Sequence, residues 1–274
     1  MIKTFETIIN EFEPQNPYQL LLGYDEEGHI YSHDLFQDGH ILMSGTTGSG
    51  KSVVMENMVI SLMMQHTPET LEVTLYDPKK VEFIQFAQSS FVHHHTAVYD
   101  EDVVPYINQL FDIFKHRKAS LSKHQCKDIQ EYNDYAQDNH LDTLPMHVVF
   151  IDEYADFYIA LKNNNNNNET MKRLRELLQQ SRAYGIYFVI ATQSPRNDVI
   201  GDIKKDIPSR IGLKLYNETE SIVAIDEPGA ERLPYHGAML YRTSPSQAFQ
   251  RIQAPFISNE ESDEIINVLS LIHI

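Results

Sequence analysis

Gly45-Thr46-Thr47-Gly48-Ser49-Gly50-Lys51-Ser52 fits the pattern G-x-x-x-x-G-K-[ST], a spacing suited to cradling phosphate. The glycines let the backbone curl until successive N–H groups point inward at phosphate oxygens. Lys51 then reaches the β- and γ-phosphates, and the Ser52 hydroxyl ligates Mg²⁺. A second pair, Asp152-Glu153, follows the apolar run Met146–Ile151. An aspartate there holds Mg²⁺, and the glutamate beside it polarises an attacking water as general base. Thr192-Gln193 close a third apolar run, where a polar pair can sense a γ-phosphate or cap the strand.

These groups meet only if the flanking elements bring them together. His40-Ile-Leu-Met-Ser44 reads as a short strand and Val53–Met64 as a helix, so phosphate would sit at a helix N-terminus. Met146–Ile151 and Ile186–Ala191 are continuously apolar, as strands covered on both faces must be. Leu71–Tyr76 alternates and is β-prone, and Pro78 stops it within Asp77-Pro78-Lys79-Lys80. That cluster is either a ligand site at a strand's C-terminal end or a plain turn. Strands and helices alternate from residue 40 to 216, which gives an α/β fold with a mostly parallel sheet between helices. Residues 1–38 form an extension and a hairpin turning at Asp25–Gly28, with a second hairpin near 238–252. The reading is one domain, with a core over 39–258 and a tail over 259–274.

Other stretches invite chemistry less. His93-His94-His95 cannot all face one ion from a strand, and no C-x-x-C or H-x-x-x-H accompanies them; a polar loop is expected. Residues 102–139 read as two helices, the first with Val103, Ile107, Leu110, Phe111 and Phe114 on one stripe. Lys115-His-Arg-Lys118, with Lys123 and Lys127, is the densest positive patch. It is either a solvated helix end or a phosphate contact. The six asparagines 163–168 read as a mobile loop tip before an amphipathic helix over 170–183. A strand is expected over 211–216.

The bulk figures set limits. A chain of 274 residues, 42% hydrophobic, can bury one large core. Its single cysteine, Cys126, excludes an internal disulfide and points to a reducing, cytoplasmic compartment. There is no signal-peptide core and no apolar run of membrane-spanning length. A net charge of −17 argues against a protein that coats nucleic acid with its whole surface. A ring gripping a polyanion through a narrow lining remains compatible with it.

Several segments together resemble the FtsK/SpoIIIE-type ring motors over about residues 18–258. They are the phosphate loop, Asp77-Pro-Lys79, Asp128–Asn133, Ile151–Asp156, Ser181–Gly185, Ala191–Pro195, Ile207-Pro-Ser-Arg210, Gly229–Glu231 and Gly237–Tyr241. The resemblance implies a RecA-like P-loop NTPase that assembles as a homo-oligomeric ring, commonly a hexamer, with ATP and Mg²⁺ at subunit interfaces. By it, Asp152 and Glu153 are the Mg²⁺ and water residues and Gln193 is the sensor. Arg210 is the arginine given to a neighbour's site, with Arg182 as the second candidate. Gly237-Ala238 departs from the family's usual Gly-Asp.

The expected activity is ATP-driven translocation of double-stranded DNA. Because neither a membrane anchor nor a sequence-reading winged domain is seen, a stand-alone motor of a plasmid, phage or conjugative element is expected. Its targeting would then come from a membrane-bound or DNA-targeting partner. Two alternatives stand beside this: a protein-moving ATPase of the type VII secretion kind, and a nucleotide-switched assembly factor with little turnover.

Overall fold

A computed structural model describes residues 2–78, 82–96, 103–163 and 167–272. In chain order the elements are α1 (Phe5–Ile9), β1 (Gln19–Tyr24), β2 (Ile30–Asp34), α2 (Leu35–Asp38), β3 (Ile41–Ser44), α3 (Lys51–Met63), β4 (Leu71–Tyr76) and β5 (Val92–Thr96). There follow α4 (Val103–Lys123), α5 (Ile129–Asp138), β6 (Met146–Ile151), α6 (Tyr154–Lys162), α7 (Asn167–Gln180) and β7 (Ile186–Thr192). The chain continues through α8 (Asn197–Lys204), β8 (Ser209–Leu213), α9 (Glu218–Ile225), β9 (Ala238–Arg242), β10 (Gln250–Gln253) and α10 (Asn259–Ile272).

The strands form one ten-stranded sheet in the order β2-β1-β10-β9-β8-β3-β7-β6-β4-β5. From β8 to β5 every pairing is parallel. The two hairpins pair antiparallel with each other through β1 and β10, and join the parallel part through β9 and β8. The expected terminal additions therefore extend the central sheet itself.

Side-chain alternation explains the apolar runs. In β3, β6 and β7, residues Ile41, Met43, Val148, Phe150, Val189 and Ala191 face a core shared with α3. Leu42, Val149, Ile151, Phe188 and Ile190 face a second core built with α4, α6, α7 and α8. Both faces of each strand are buried, so the runs are almost wholly apolar; His147 of β6 is buried too and meets the Thr74 hydroxyl at 3.0 Å. Helix α3 is buried nearly all round, as an apolar helix between the sheet and further cover should be.

Several boundaries differ from expectation. Strand β8 starts at Ser209 and ends at Leu213, so Arg210 lies within it. Val92–Thr96 is a parallel partner of β4, so the three histidines lie on an edge strand and not in a loop. Asn167 and Asn168 open α7, while asparagines 164–166 lie outside the described residues, as do Lys79 and Lys80. The amphipathic helix stops at Gln180, and Ser181–Tyr184 is a 3₁₀ turn. The expected C-terminal tail is helix α10, whose Ile266 is buried in the first core.

Candidate nucleotide-hydrolysis site

The C-terminal ends of β3, β4, β6 and β7 lie along one edge. Ser44 pairs with Thr192, Ile151 with Ile190, and Tyr76 with Ile151. Because β7 lies between β3 and β6, Thr192 and Gln193 fall between the phosphate loop and Asp152-Glu153. Backbone bonds fasten the loop to both neighbours. Gly45 N–H donates to the Thr192 carbonyl at 3.2 Å, and Thr46 N–H to the Lys214 carbonyl at 2.9 Å. Gly50, in the left-handed region at φ 96°, turns the chain into α3. A Cβ there would lie 2.4 Å from the Gly237 nitrogen, so no other residue fits. Helix α3 has no side-chain cap at its N-terminus, which leaves its first N–H groups free for an anion.

Lys51 begins that helix and is 4% exposed. Its ammonium donates to the Asp152 carbonyl at 2.6 Å and to the Asp152 carboxylate. Burial pushes the Asp152 carboxyl above the usual carboxylate range, against the pull of Lys51, and Asp77 and Glu153 add to the rise. The other Asp152 oxygen, Oδ2, is buried and has no partner, as are the hydroxyls of Ser44, Thr46 and Ser49. A buried anionic oxygen without a donor is costly. It fits a ligand for Mg²⁺, which Asp152 and the half-buried Ser52 hydroxyl would hold. Such an ion would supply positive charge to offset the negative charge that develops on the phosphates.

Glu153 caps α6 and accepts from Ala155 N–H at 3.2 Å. Two further donors hold it from the end of β7 and the residue after it: the Thr192 hydroxyl to Oε1 at 2.6 Å and Gln193 N–H to Oε2 at 2.9 Å. The Gln193 side-chain oxygen in turn accepts from the Thr47 hydroxyl at 3.2 Å. A chain of hydrogen bonds thus runs from the phosphate loop through Gln193 to Glu153. What these residues can do follows from their types. Lys51 and the loop amides are of the kind that can hold phosphate, a carboxylate such as that of Glu153 can take a proton from water, and an amide such as that of Gln193 can position one.

The arginines lie elsewhere. Arg210 pairs with Leu42 of β3, at the opposite end of that strand from the phosphate loop. It is 4% exposed. Its guanidinium donates to the carbonyls of Ile207 and Ser209 and, at 2.6 Å, to that of Lys204. Asp226 faces it at 3.6 Å. Burial lowers its pKa to about 10, with Asp226 working against the fall. Arg182 is exposed, but its guanidinium donates to the carbonyls of Phe36 and Gln37 at the end of α2. The structure therefore gathers the phosphate loop, Asp152, Glu153 and Gln193, and leaves both arginines at the far edge of the sheet.

Two members of the other candidate clusters have structural partners. Within the basic patch on α4, Arg117 is buried and donates to the carbonyls of Tyr184 and Gly185, so it is structural. Asp77, 4% exposed, accepts from the backbone N–H of Glu82 and Phe83. What sequence reasoning missed is the turn 234–237, which packs against the phosphate loop. No local pattern marks a contact between segments so far apart in the chain.

A phosphate loop followed by a helix, with an acidic pair two strands away and a sensor strand between, defines a P-loop ATPase of the mixed-sheet kind. The family model described as "FtsK/SpoIIIE family" matches residues 12–197. The chain is 36% identical over 253 residues to the DNA translocase FtsK of Treponema pallidum, covering 90% of this chain and 31% of that protein. It is 31% identical over 255 residues to the DNA translocase FtsK of Helicobacter pylori, covering 93% of this chain and 30% of that one. It thus spans about a third of the length of these relatives. Among solved structures, the cytoplasmic domain of the type VII secretion ATPase EccC of Thermomonospora curvata aligns at TM-score 0.83 and 20% identity, covering 98% of this chain and 34% of that one. The pCW3 conjugation coupling protein TcpA, in its monomer form with ATPγS, aligns at 0.77 and 22%, covering 94% and 72%. These two show the fold. The chain belongs to the FtsK/SpoIIIE family and has its P-loop ATPase fold.

Proposed function

We propose that this domain hydrolyses ATP with Mg²⁺ and couples the reaction to translocation of double-stranded DNA, working as a homo-oligomeric ring. The observation that carries the hydrolysis is the Glu153 carboxylate, held by β7 donors beside a phosphate loop whose Lys51 already reaches Asp152. The DNA substrate is drawn from the relatives, which are named DNA translocases and match over nine-tenths of this chain. In this reading Ser52 and Asp152 hold the ion and Lys51 the β- and γ-phosphates. Glu153 removes the proton from water, Gln193 reports the γ-phosphate, and a neighbour supplies a cation to the transition state. Among the described residues no helix is long and apolar enough to cross a membrane. The proposal places the domain in the cytoplasm, with a partner protein supplying any targeting.

The test is the steady-state ATPase rate at low salt, with and without long duplex DNA, alongside the mass in solution with nucleotide. DNA should raise the rate, and an oligomer should form. A rate indifferent to DNA of every length sinks the DNA reading. A second reading, movement of a protein, is favoured by the net charge of −17, which opposes broad contact with a polyanion. Stimulation by a secreted polypeptide, with none by DNA, selects it.

A further inference from the structure

The phosphate loop has two flanks, and only one carries hydrolysis chemistry. On the β7 and β6 side stand Gln193, Glu153 and Asp152. On the β8 and β9 side the turn before β9 lies directly against the loop. Gly237 N–H donates to the Ser49 carbonyl at 2.7 Å, and His236 N–H to the Gly48 carbonyl at 3.4 Å. The turn is pinned from behind as well. The Gln253 amide donates to the His236 carbonyl at 2.8 Å, and Ala254 N–H to that of Gly237 at 2.9 Å. His236 and Gly237 both have positive φ, 70° and 91°, so the turn has one tightly specified shape.

That shape presents an aromatic ring at the rim of the loop. A Cβ built on Gly48 would lie 3.8 Å from Tyr235 Cδ1. The Tyr235 side chain is nonetheless 44% exposed. The Lys214 ammonium sits 5.7 Å from its ring centre, and the His236 ring is 6.4 Å away. Lys214 is itself fixed, because its ammonium donates to the Glu231 carbonyl at 2.6 Å and its own carbonyl holds Thr46 N–H. An exposed ring this firmly mounted, with a cation beside it, is built to receive a flat partner.

The bound substrate supplies that partner. A nucleoside triphosphate whose γ-phosphate faces Glu153 must carry its ribose and base away from the β6 and β7 flank. From the named residues and the direction of the phosphate chain, we infer that Tyr235 is the stacking platform for the nucleotide base. Lys214 and the His236 backbone fix its position. The inference rests on the nucleotide-binding part of the proposed function and needs neither DNA nor a ring. Stacking reads the face of a base and not its edge, so the site should accept both purine nucleotides with similar affinity.

The experiment is calorimetric titration of the full chain with MgATP and, separately, with magnesium tripolyphosphate, which has the phosphates but no base. Tyr235→Ala should weaken MgATP about tenfold, the scale of base–aromatic stacking, and leave tripolyphosphate unchanged. Tyr235→Phe should bind both as the parent does, and Tyr235→Leu should resemble Tyr235→Ala while keeping apolar bulk at the turn. Unchanged MgATP affinity in the alanine and leucine variants overturns the assignment. So does an equal loss for tripolyphosphate, which would mean that the ring only props the loop. A chain that needs Tyr235 for MgATP but whose turnover ignores DNA would defeat the motor reading and leave this inference intact.

Discussion

The two edges of the parallel sheet carry polar groups of opposite kinds. At the C-terminal edge, around the phosphate loop, buried oxygens are left open: Asp152 Oδ2 and the hydroxyls of Ser44, Thr46 and Ser49 have no partner. At the N-terminal edge most of the polar groups meet partners, although His40 Nε2 and Arg210 Nε are buried without one. His40 Nδ1 accepts from Phe188 N–H at 3.1 Å, and His33 bridges the Tyr241 hydroxyl and the Gly39 carbonyl. Arg117, Arg182 and Arg210 all donate to main-chain carbonyls. Buried polar groups are ordinarily satisfied. The main-chain partners at the N-terminal edge serve stability, and the cluster of open oxygens around one phosphate loop at the other edge is where a ligand belongs.

The sharpest break of this contrast is Glu153→Gln. The amide keeps the shape and loses the base, so turnover should fall roughly a hundredfold to ten-thousandfold while MgATP still binds. Single-turnover hydrolysis with a separate binding titration checks it, and parallel losses of both would move Glu153 from chemistry to structure. Arg210→Ala should act on the other edge. Removing a buried charged group from its partners costs on the order of 3 kcal/mol, a fall in Tm of roughly 5–10 °C. Thermal melts of the isolated chain test that. If mixtures of Arg210→Ala with Lys51→Ala regain turnover while both chains melt normally, Arg210 acts across an interface and the contrast drawn here fails for that residue.

How much of this could be read in advance divides along the same line. The C-terminal edge was legible because the chemistry fixes local spacing: Gly45 to Ser52 is contiguous, and Asp152-Glu153 and Thr192-Gln193 each end an apolar run. Their convergence needed only the parallel order of the strands. The N-terminal edge was not legible. Nothing in Ile207-Pro-Ser-Arg210 shows that the arginine turns inward to Lys204 and Asp226, because those partners are set by how α8 and α9 pack. The histidines 93–95 were misplaced for a related reason. Polar residues lower strand propensity, yet pairing with β4 at the sheet's edge prevails over it. Tyr235 was invisible because its meaning depends on a turn docked against a glycine loop from the far end of the chain.

A smaller effect sharpens the chemistry at the C-terminal edge. Thr192→Val removes the hydroxyl that holds Glu153 Oε1 and keeps the buried volume. A hydrogen bond to a charged group contributes about 1.5–3 kcal/mol, so kcat should drop about tenfold or more with little change in KM for ATP. Thr192→Ser should restore it. A fall in KM alone, or a serine variant as slow as the valine one, would show that the hydroxyl does not orient the base.

The mildest effect near neutral pH belongs to the N-terminal edge. His40 is buried just before β3, and burial, helped by Arg182, lowers its pKa to about 3. Unfolded, the same imidazole titrates near 6.5. Above that value neither state binds the proton, and the buried neutral ring contributes its full stability. As pH falls, the unfolded chain takes up a proton that the folded chain refuses. Stability then declines by about 1.4 kcal/mol per pH unit between roughly 6.5 and 3. Urea midpoints measured from pH 7 to pH 5 should fall along this slope, and His40→Asn should flatten it while lowering the midpoint at pH 7. If the slope persists unchanged in that variant, another buried group carries the acid sensitivity, with His33 the first to examine, because burial lowers its pKa as well. Either result keeps the titration at the N-terminal edge. Asp152 at the open edge works the other way: folding raises its pKa, so it adds stability as pH falls and cannot be the source of this decline.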